Sequence, residues 1–188
     1  INCLFTDGET IWLGTETGGI NLLSPKRLQT KLWTCGSADT ENDAPTPVNA
    51  VDEDKNGNLW VALVERGLLK WNEDSKSCVH HLFSPNDITS VSNNTLMGIL
   101  IDSDNRLWAY TWGVGINGID LNIPNNRTFK RYTRENIPEL EGDFINSACE
   151  DVINHGIWFG STRGVHFYDK RKDTFVRVLF DQSDNEFE

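Results

Sequence analysis

Acidic and amide side chains alternate along one stretch of the sequence in a pattern that could bind a cation. Asp52, Asp54 and Asn56 precede Gly57, which copies the first half of a calcium-binding EF-hand loop. That loop requires a Glu six residues after the glycine, and Leu63 occupies this position. Strand-like runs, and not helices, flank the stretch. The sequence therefore predicts a hairpin turn here, with no metal and no cofactor.

No other set of reactive side chains forms a catalytic pattern. His80 and His81 are neighbours on a predicted strand, so their rings point to opposite faces and cannot bind one ion together. The sequence has no Gly-x-Ser-x-Gly motif, no phosphate loop and no nucleophile with a spaced base. We therefore expect no catalytic residue and no enzymatic activity in this segment.

The four cysteines do not indicate a metal site or a disulfide framework. None of them belongs to a Cys-x-x-Cys or Cys/His pattern. Free cysteine is among the side chains most often buried. The sequence therefore predicts buried free thiols at Cys3, Cys35, Cys78 and Cys149.

Four tryptophans recur at a nearly fixed interval and define a repeat. Intervals of 48, 48 and 50 residues separate Trp12, Trp60, Trp108 and Trp158. A glycine follows each of them six or seven residues later. A regular period of this length is typical of repeat architectures. Because each tryptophan falls in the middle of a strand-like run, we expect it to pack between adjacent repeats, and we expect Trp33 and Trp71 in the core as well.

Each repeat contains four short runs rich in β-branched and aromatic residues, bounded by Gly, Asn, Asp or Pro. No stretch keeps a helical period. The fold class is therefore all-β, and four antiparallel strands in each repeat of about 48 residues predict a partial β-propeller of four blades. Asn56 and Gly57 predict a type I′ turn in the second blade. The predicted blades cover residues 1–44, 45–92, 93–141 and 142–188.

The up-and-down order of the strands determines which turns share an end of a blade. The turns between second and third strands lie at the same end as the long links between blades, and loops carry most binding residues. Trp112 falls in such a turn, where an exposed ring could stack on a sugar or anchor a protein. Glu65, Arg66 and Arg163 lie in the equivalent turns. We predict that these four residues belong to a ligand-binding site.

Charge and hydropathy limit the partners of the chain. Its formal net charge of −11 argues against a nucleic-acid partner, which would need a face rich in Lys and Arg. The longest apolar runs are far shorter than the roughly 20 residues of a membrane span. The chain begins within a repeat and without a secretory signal, so we interpret it as a piece of a longer protein.

The repeats resemble those of the two-component regulator propeller family over essentially the whole chain. Residues 82–94 match the link of that family, with its Asn-Asp pair and serine-rich end. Residues 11–21 and 157–165 match its Leu-Trp-x-Gly-Thr strand and the glycine-led strand that follows. Ala62 and Tyr110 depart from the pattern, because they replace the glycine of the Trp-x-Gly-Thr run.

The resemblance implies a function that the residues alone do not. Such repeats form the periplasmic sensor of hybrid two-component histidine kinases in gut Bacteroidetes, ahead of a membrane span, a kinase and regulator domains. The usual cue is an oligosaccharide, and the output is control of carbohydrate-utilisation genes. On this basis we expect an oligosaccharide ligand, contacts with the remaining blades and the second propeller of the parent protein, and no nucleic acid. A homodimer is a further arrangement to test.

Two other functions remain open from the sequence. A propeller of this kind can serve as a protein–protein interaction module. Streptogramin-lyase-like propellers also carry Asp-x-x-Gly-Asn-Leu-Trp blades, although the His and Glu of their catalysis have no match at the loop positions of this chain.

Overall fold

The computed structural model describes residues 1–6, 10–24, 29–33, 46–72, 75–138, 140 and 144–178. Runs of β-branched and aromatic residues form strands in every repeat, because such side chains pack well on a pleated surface. None of these residues forms a helix long and apolar enough to span a membrane. The strands of the described residues are β1 (Cys3–Thr6), β2 (Ile11–Gly14), β3 (Ile20–Ser24), β4 (Gln29–Trp33), β5 (Val48–Glu53), β6 (Asn58–Leu63), β7 (Leu68–Asn72), β8 (Ser77–His81), β9 (Leu96–Ile101), β10 (Arg106–Thr111), β11 (Gly115–Asp120), β12 (Lys130–Tyr132), β13 (Ile145–Asp151), β14 (Gly156–Ser161), β15 (Gly164–Asp169) and β16 (Thr174–Val178).

The strands form four antiparallel sheets in chain order. Sheet 1 contains β1 to β4, sheet 2 β5 to β8, sheet 3 β9 to β12 and sheet 4 β13 to β16. The first strands of successive sheets lie side by side, whereas β13 and β1 make no comparable contact within the described strands. The four sheets therefore form an open arc around a shared inner edge. This is the arrangement of propeller blades, so the predicted all-β partial propeller is confirmed.

An aspartate side chain organises the turn between the first two strands of sheet 2. The Asp54 carboxylate accepts hydrogen bonds from the backbone N–H groups of Asn56 and Asn58 and from the indole N–H of Trp60, at 2.9–3.0 Å. Within this turn only Gly57 has a positive φ, of 74°. The predicted type I′ turn is therefore wrong, because it needs a positive φ at both central residues. The carboxylate holds the chain in a wider turn instead.

The same bond recurs in the next two sheets. The indole N–H of Trp108 donates to Asp102 at 2.9 Å, and that of Trp158 donates to Asp151 at 3.0 Å. In sheet 3, Asn105 replaces the glycine of the turn at a φ of 60°, a left-handed conformation that Asn tolerates. In sheets 2, 3 and 4 the repeated aspartate thus links its turn to the tryptophan of the strand that follows.

Each sheet has two unlike faces, and adjacent sheets pack unlike faces against each other. We call the side that carries the repeated tryptophan the Trp face, and the other side the opposite face. The Trp faces of sheets 1, 2 and 3 pack on the opposite faces of sheets 2, 3 and 4 respectively. Trp12, Trp60 and Trp108 are at most 9% exposed, and Trp71 is buried too. The predicted core role of these four tryptophans is confirmed.

The fourth repeated tryptophan departs from the prediction. Trp158 is only half-buried, because no described sheet packs on the Trp face of sheet 4. The expected burial between blades therefore holds for three of the four repeats. The side chain of Trp33 lies outside the described residues.

The cysteines also differ from the prediction of buried free thiols. Cys78 forms a disulfide bond. Cys3 and Cys149 are free, but Cys3 is only partly buried and Cys149 is exposed. Cys149 pairs with Trp158 across β13 and β14 on the Trp face of sheet 4, so the lack of a covering sheet there explains its exposure. Cys35 lies outside the described residues.

Polar side chains also connect neighbouring sheets near their inner edges. The Asp52 carboxylate accepts the Ile101 N–H at 2.7 Å, which links sheet 2 to sheet 3. Ser103 donates its N–H and hydroxyl to the Glu150 carboxylate, at 2.8 and 2.6 Å, which links sheet 3 to sheet 4. Hydrogen bonds to charged groups are stronger than neutral ones, so these contacts fix how successive sheets are placed.

A histidine lies inside the interface between sheets 2 and 3. The His81 ring stacks on Trp60 at a centroid distance of 5.5 Å and meets the edge of Phe129 at 5.4 Å. Burial lowers the pKa of His81 from 6.5 to about 4, and nearby cationic groups act in the same direction. The ring is therefore neutral at neutral pH, and its protonation opposes the packing of the two sheets.

Removing a buried tryptophan should destabilise the whole arc. We expect Trp60→Ala to lower the free energy of unfolding by about 3–5 kcal/mol, because it leaves a cavity between sheets 2 and 3. Urea unfolding measures this loss. Trp112→Ala is the matched control: its ring is half exposed, and its replacement should cost less than about 1 kcal/mol. Equal losses for the two variants would contradict the core assignment.

His81 should make stability depend on pH in a defined direction. Because the folded pKa of about 4 lies below the unfolded 6.5, the unfolded chain takes up the proton first as the pH falls. We expect His81 to cost up to about 3 kcal/mol of the free energy of unfolding between pH 6.5 and 4, with no cost above that window.

The test compares urea unfolding across this pH range for the parent chain and His81→Phe, which keeps an aromatic ring but cannot be protonated. His81→Phe should lose this part of the pH dependence, whereas His80→Phe, at an exposed position, should keep it. Superimposable profiles for the parent chain and His81→Phe would show that His81 has no such role.

Candidate ligand-binding site

The turns between second and third strands and the links between sheets share one end of the arc, which we call the loop end. The link between sheets 2 and 3, residues 82–95, contacts the turns of both sheets. Gly67 in the turn of sheet 2 donates its N–H to Asn94, and Trp112 in the turn of sheet 3 donates its N–H to Thr95. The link is therefore held against two turns along its final residues.

An exposed aromatic pair lies at the loop end. Trp112 is 54% exposed and Phe144 is 39% exposed, and their rings meet edge to face at a centroid distance of 5.2 Å. An isolated backbone bridge joins the two residues. Gly113 has a φ of 76°, which favours glycine, and a Cβ there would lie 3.4 Å from the Phe144 ring. The backbone therefore fixes the pair in place while leaving apolar ring surface open to solvent.

A cleft of about 590 Å³ opens beside this pair. Three segments of the loop end meet there: the 82–95 link, the β10–β11 turn and the start of the 133–144 link. Gly113 lines the cleft and adjoins Trp112, so the cleft and the aromatic pair form one continuous surface. Representative lining residues from the three segments are Ile88, Ser92, Val114, Thr133, Glu135 and Asn136.

Arg131 fixes one wall of the cleft. Its guanidinium donates to the carbonyl groups of Asp87, Ser90 and Val91 at 2.9–3.2 Å and to the Ser90 hydroxyl at 2.7 Å. The same group lies 5.5 Å from the centre of the Phe83 ring. A planar guanidinium offers several donors in a fixed geometry, which suits it to hold a bent segment of backbone. The middle of the 82–95 link is therefore held in a defined shape.

A polar atom without a partner lies at the cleft. Ser92 is 5% exposed, and its hydroxyl makes no hydrogen bond to any residue that the structure describes. Its N–H donates to the Asn117 side chain at 2.9 Å, which fixes the backbone at this point. A buried hydroxyl without a partner is costly. The hydroxyl oxygen itself has almost no surface open to the cleft, so Ser92 shapes the wall of the cleft and offers no group to a ligand.

The four predicted site residues lie at the loop end but do not line this cleft. Trp112 forms the aromatic pair, and the cleft begins at the next residue. Glu65 is exposed at a φ of 62° in the β6–β7 turn, with Arg66 half-buried beside it. Arg163 is exposed in the β14–β15 turn. The three charged residues therefore belong to sheets 2 and 4, whereas Trp112 belongs to sheet 3, and their place in a site stays a prediction.

Three features of this surface were not predicted from the sequence. Phe144 could have been noticed in the sequence, because it is an apolar residue at the end of a polar link. No pattern in the sequence marks Arg131 or Ser92, since their roles depend on how the 82–95 link folds back on β12. A sequence pattern does not contain that contact.

A second cleft, of about 580 Å³, lies at the other end of sheets 3 and 4. Its charged groups contact one another. The Lys170 ammonium lies 2.6 Å from Glu150, 2.8 Å from Asp104 and 3.1 Å from Asp102. Arg106 lies 4.4 Å from the centre of the Trp108 ring and bonds to two tyrosine hydroxyls. These groups serve the contact between sheets 3 and 4, so the loop end is the better candidate for a site.

Comparison with known proteins finds no matching family model and no matching curated sequence. Solved structures, however, share the fold. Virginiamycin B lyase from Staphylococcus aureus is 16% identical with a TM-score of 0.64, over 95% of this chain and 55% of that one. The β-propeller domain of Cps50 from Myceliophteria thermophila is 12% identical with a TM-score of 0.64, over the same shares of the two chains. The chain is therefore part of a β-propeller.

A further structural match lies in the class of protein that the sequence resembles. It is the extracellular domain of a B. thetaiotaomicron protein described as a hybrid two component system, with 19% identity and a TM-score of 0.76. The match covers 94% of this chain but only 24% of that one, so this chain spans about a quarter of its length. The fold thus agrees with the resemblance of the repeats to those of the two-component regulator propeller family.

The role of Arg131 predicts a local effect of substitution. Arg131→Lys keeps the charge but removes the planar group that bonds to three carbonyls. We expect amide hydrogen exchange in residues 86–92 to become at least about tenfold faster, which corresponds to about 1.4 kcal/mol of local stability. Arg134→Lys, at an exposed position in the next link, should leave exchange unchanged. Unchanged exchange in Arg131→Lys would show that other contacts hold the link.

Proposed function

We propose that this chain is a ligand-binding segment of the periplasmic sensor of a hybrid two-component histidine kinase, and that its ligand is an oligosaccharide. The observation that carries the proposal is the exposed pair of Trp112 and Phe144 beside an open cleft. The resemblance of the repeats and the propeller fold shared with an extracellular sensor domain support it.

The chemistry of the surface suits a sugar. A pyranose ring has apolar C–H faces, which pack on aromatic rings, and a rim of hydroxyls, which need hydrogen-bond partners. Trp112 and Phe144 supply the first kind of contact. The exposed Arg134 and Glu135 at the cleft supply the second. The cleft is open along the surface, so a chain of several sugar units fits it better than a small compact ligand.

In this proposal the present segment binds the ligand, and other segments of the parent protein carry out the signalling. The phosphorylation chemistry of a hybrid kinase would belong to other segments of the parent protein, and the output would be control of carbohydrate-utilisation genes. The remaining blades and the second propeller of that protein are the proposed neighbours of this segment.

A protein-interaction role is the second candidate, and one observation favours it. Ile88 is 80% exposed, Leu82 50% and Phe83 40%, all on the 82–95 link that borders the cleft. Exposed apolar side chains grouped on a held loop can anchor a protein partner. The lyase fold gives a third candidate. His81 and His166 are both buried, whereas His80 and His155 are exposed, and His155 lies in the β13–β14 turn away from the loop end.

Oligosaccharide binding is the test of the proposed function. A panel of defined oligosaccharides is screened by thermal shift and then by calorimetry. A glycan at about 100 times its dissociation constant should add about 2.7 kcal/mol to the free energy of unfolding. Trp112→Ala should weaken binding at least tenfold, or about 1.4 kcal/mol, because the stacking surface is lost.

Glu135→Ala should weaken binding as well, since it removes an exposed carboxylate of the cleft that sugar hydroxyls can donate to. Ile153→Ala is the control, because Ile153 is 87% exposed at the other end of sheet 4 and should leave the affinity unchanged. Binding of a protein partner with no response to any glycan would favour the second candidate. A glycan response that survives in Trp112→Ala would remove this residue from the site.

A further inference from the structure

One position in the third strand of each sheet is filled differently from repeat to repeat. This position pairs with the residue that follows the repeated tryptophan, and in sheets 1 to 4 it holds Asn21, Leu69, Asn117 and His166. Leu69 is 3% exposed and packs in the core between sheets 1 and 2. An apolar side chain therefore satisfies a sheet at this position, and the pairing of strands in sheet 3 does not require the amide of Asn117.

The amide of Asn117 contacts both the neighbouring strand and the link outside the sheet. Asn117 is 0% exposed. Its Nδ2 donates to the Ala109 carbonyl at 3.2 Å, and its Oδ1 accepts the Ser92 N–H at 2.9 Å. A buried amide is costly unless its groups are hydrogen-bonded, and these two bonds offset that cost. Asn117 thus joins β11 to the 82–95 link through bonds that leucine could not make.

The bond from Ser92 completes the hold on a single peptide group in the wall of the cleft. Arg131, the neighbour of Asn117 in register on β12, donates to the Val91 carbonyl at 3.2 Å. The carbonyl and the N–H of the peptide group between Val91 and Ser92 are therefore held from two adjacent strands of sheet 3. Val91 is 0% exposed and packs between sheets 2 and 3, whereas Ser92 lines the cleft. The cleft wall is thus fixed where the link leaves the core.

We infer that Asn117 is a positioning residue of the candidate ligand-binding site. Its side chain does not line the cleft, but it fixes the Ser92 wall relative to the β10–β11 turn, which carries Trp112. Without the amide, the Ser92 N–H would be buried without a partner, which favours movement of the link toward water. A wall that must be ordered when the ligand binds lowers the affinity. The inference rests on the proposed function, because it concerns how that site is shaped.

Asn117→Leu is the principal variant, because leucine already fits the equivalent position of sheet 2. Hydrogen exchange at the Ser92 amide, followed by NMR, should become at least about tenfold faster, because its partner is lost. The affinity for the oligosaccharide that the parent chain binds, measured by calorimetry, should fall at least about tenfold. Asn117→Ala, which cannot overfill the position, should show the same two effects.

Val61→Ala is the control that separates positioning from a general loss of stability. Val61 is 0% exposed and packs between sheets 1 and 2, whereas Val91 of the link packs between sheets 2 and 3. Val61→Ala should therefore lower the resistance to urea but leave both the affinity and the exchange at Ser92 unchanged. If the Asn117 variants behave in the same way, Asn117 is merely structural and the inference is overturned.

The outcomes also separate this inference from the proposed function. A parent chain that binds a glycan, with Asn117 variants that bind it equally well, would overturn the inference and leave the proposed function standing. A parent chain that responds to no glycan would count against the proposed function. Exchange at Ser92 then decides the role of Asn117 alone: faster exchange in the variants would support its hold on the wall, and unchanged exchange would refute it.

Discussion

The hydrogen bond from a tryptophan indole to an aspartate carboxylate organises sheets 2, 3 and 4, whereas the Trp12 indole of sheet 1 has no partner among the described residues. This bond occurs between Trp60 and Asp54 and again in the two sheets that follow. A buried carboxylate is costly unless it is hydrogen-bonded, and Asp54 meets this condition with the N–H groups of its own turn and with the indole. One side chain thereby shapes a turn, fixes the ring that covers the next sheet and satisfies the polar atom of that ring.

The two ends of the arc differ in the kind of contacts that hold them together. At the end of the aspartate turns, charged side chains are used in contacts between sheets, as Lys170 illustrates with its three carboxylates. At the loop end, the chain is held mainly through backbone groups, as in the bonds from Arg131 to carbonyls of the 82–95 link. Exposed side chains there, such as that of Trp112, therefore take no part in the packing between sheets. Substitution of loop residues such as Trp112 should therefore leave the packing of the sheets undisturbed.

The sequence predicts the strands well because the repeat is visible four times. Each repeat forms the four strands predicted from its short β-branched and aromatic runs, since turn residues mark the ends of these runs. The turn at Gly57 differs because the Asp54 side chain, and not the Asn-Gly pair, decides its shape. Trp158 follows the repeat in sequence but not in burial, because burial depends on a neighbouring sheet. The cleft at Ser92 was beyond prediction for a similar reason: it is formed by the fold of two links, which carry no periodic pattern.

The order of the sheets has a consequence for how the chain folds. Among the described strands, each sheet makes its main contacts with its neighbours in sequence, so the molecule behaves as a row of linked units. Within the part of the chain that the structure describes, sheets 2 and 3 pack on another sheet with both faces, whereas sheets 1 and 4 do so with one. The stability of each sheet therefore depends on the neighbours that it packs against. During synthesis, a sheet gains its full stability only when the next one has emerged from the ribosome and packed against it.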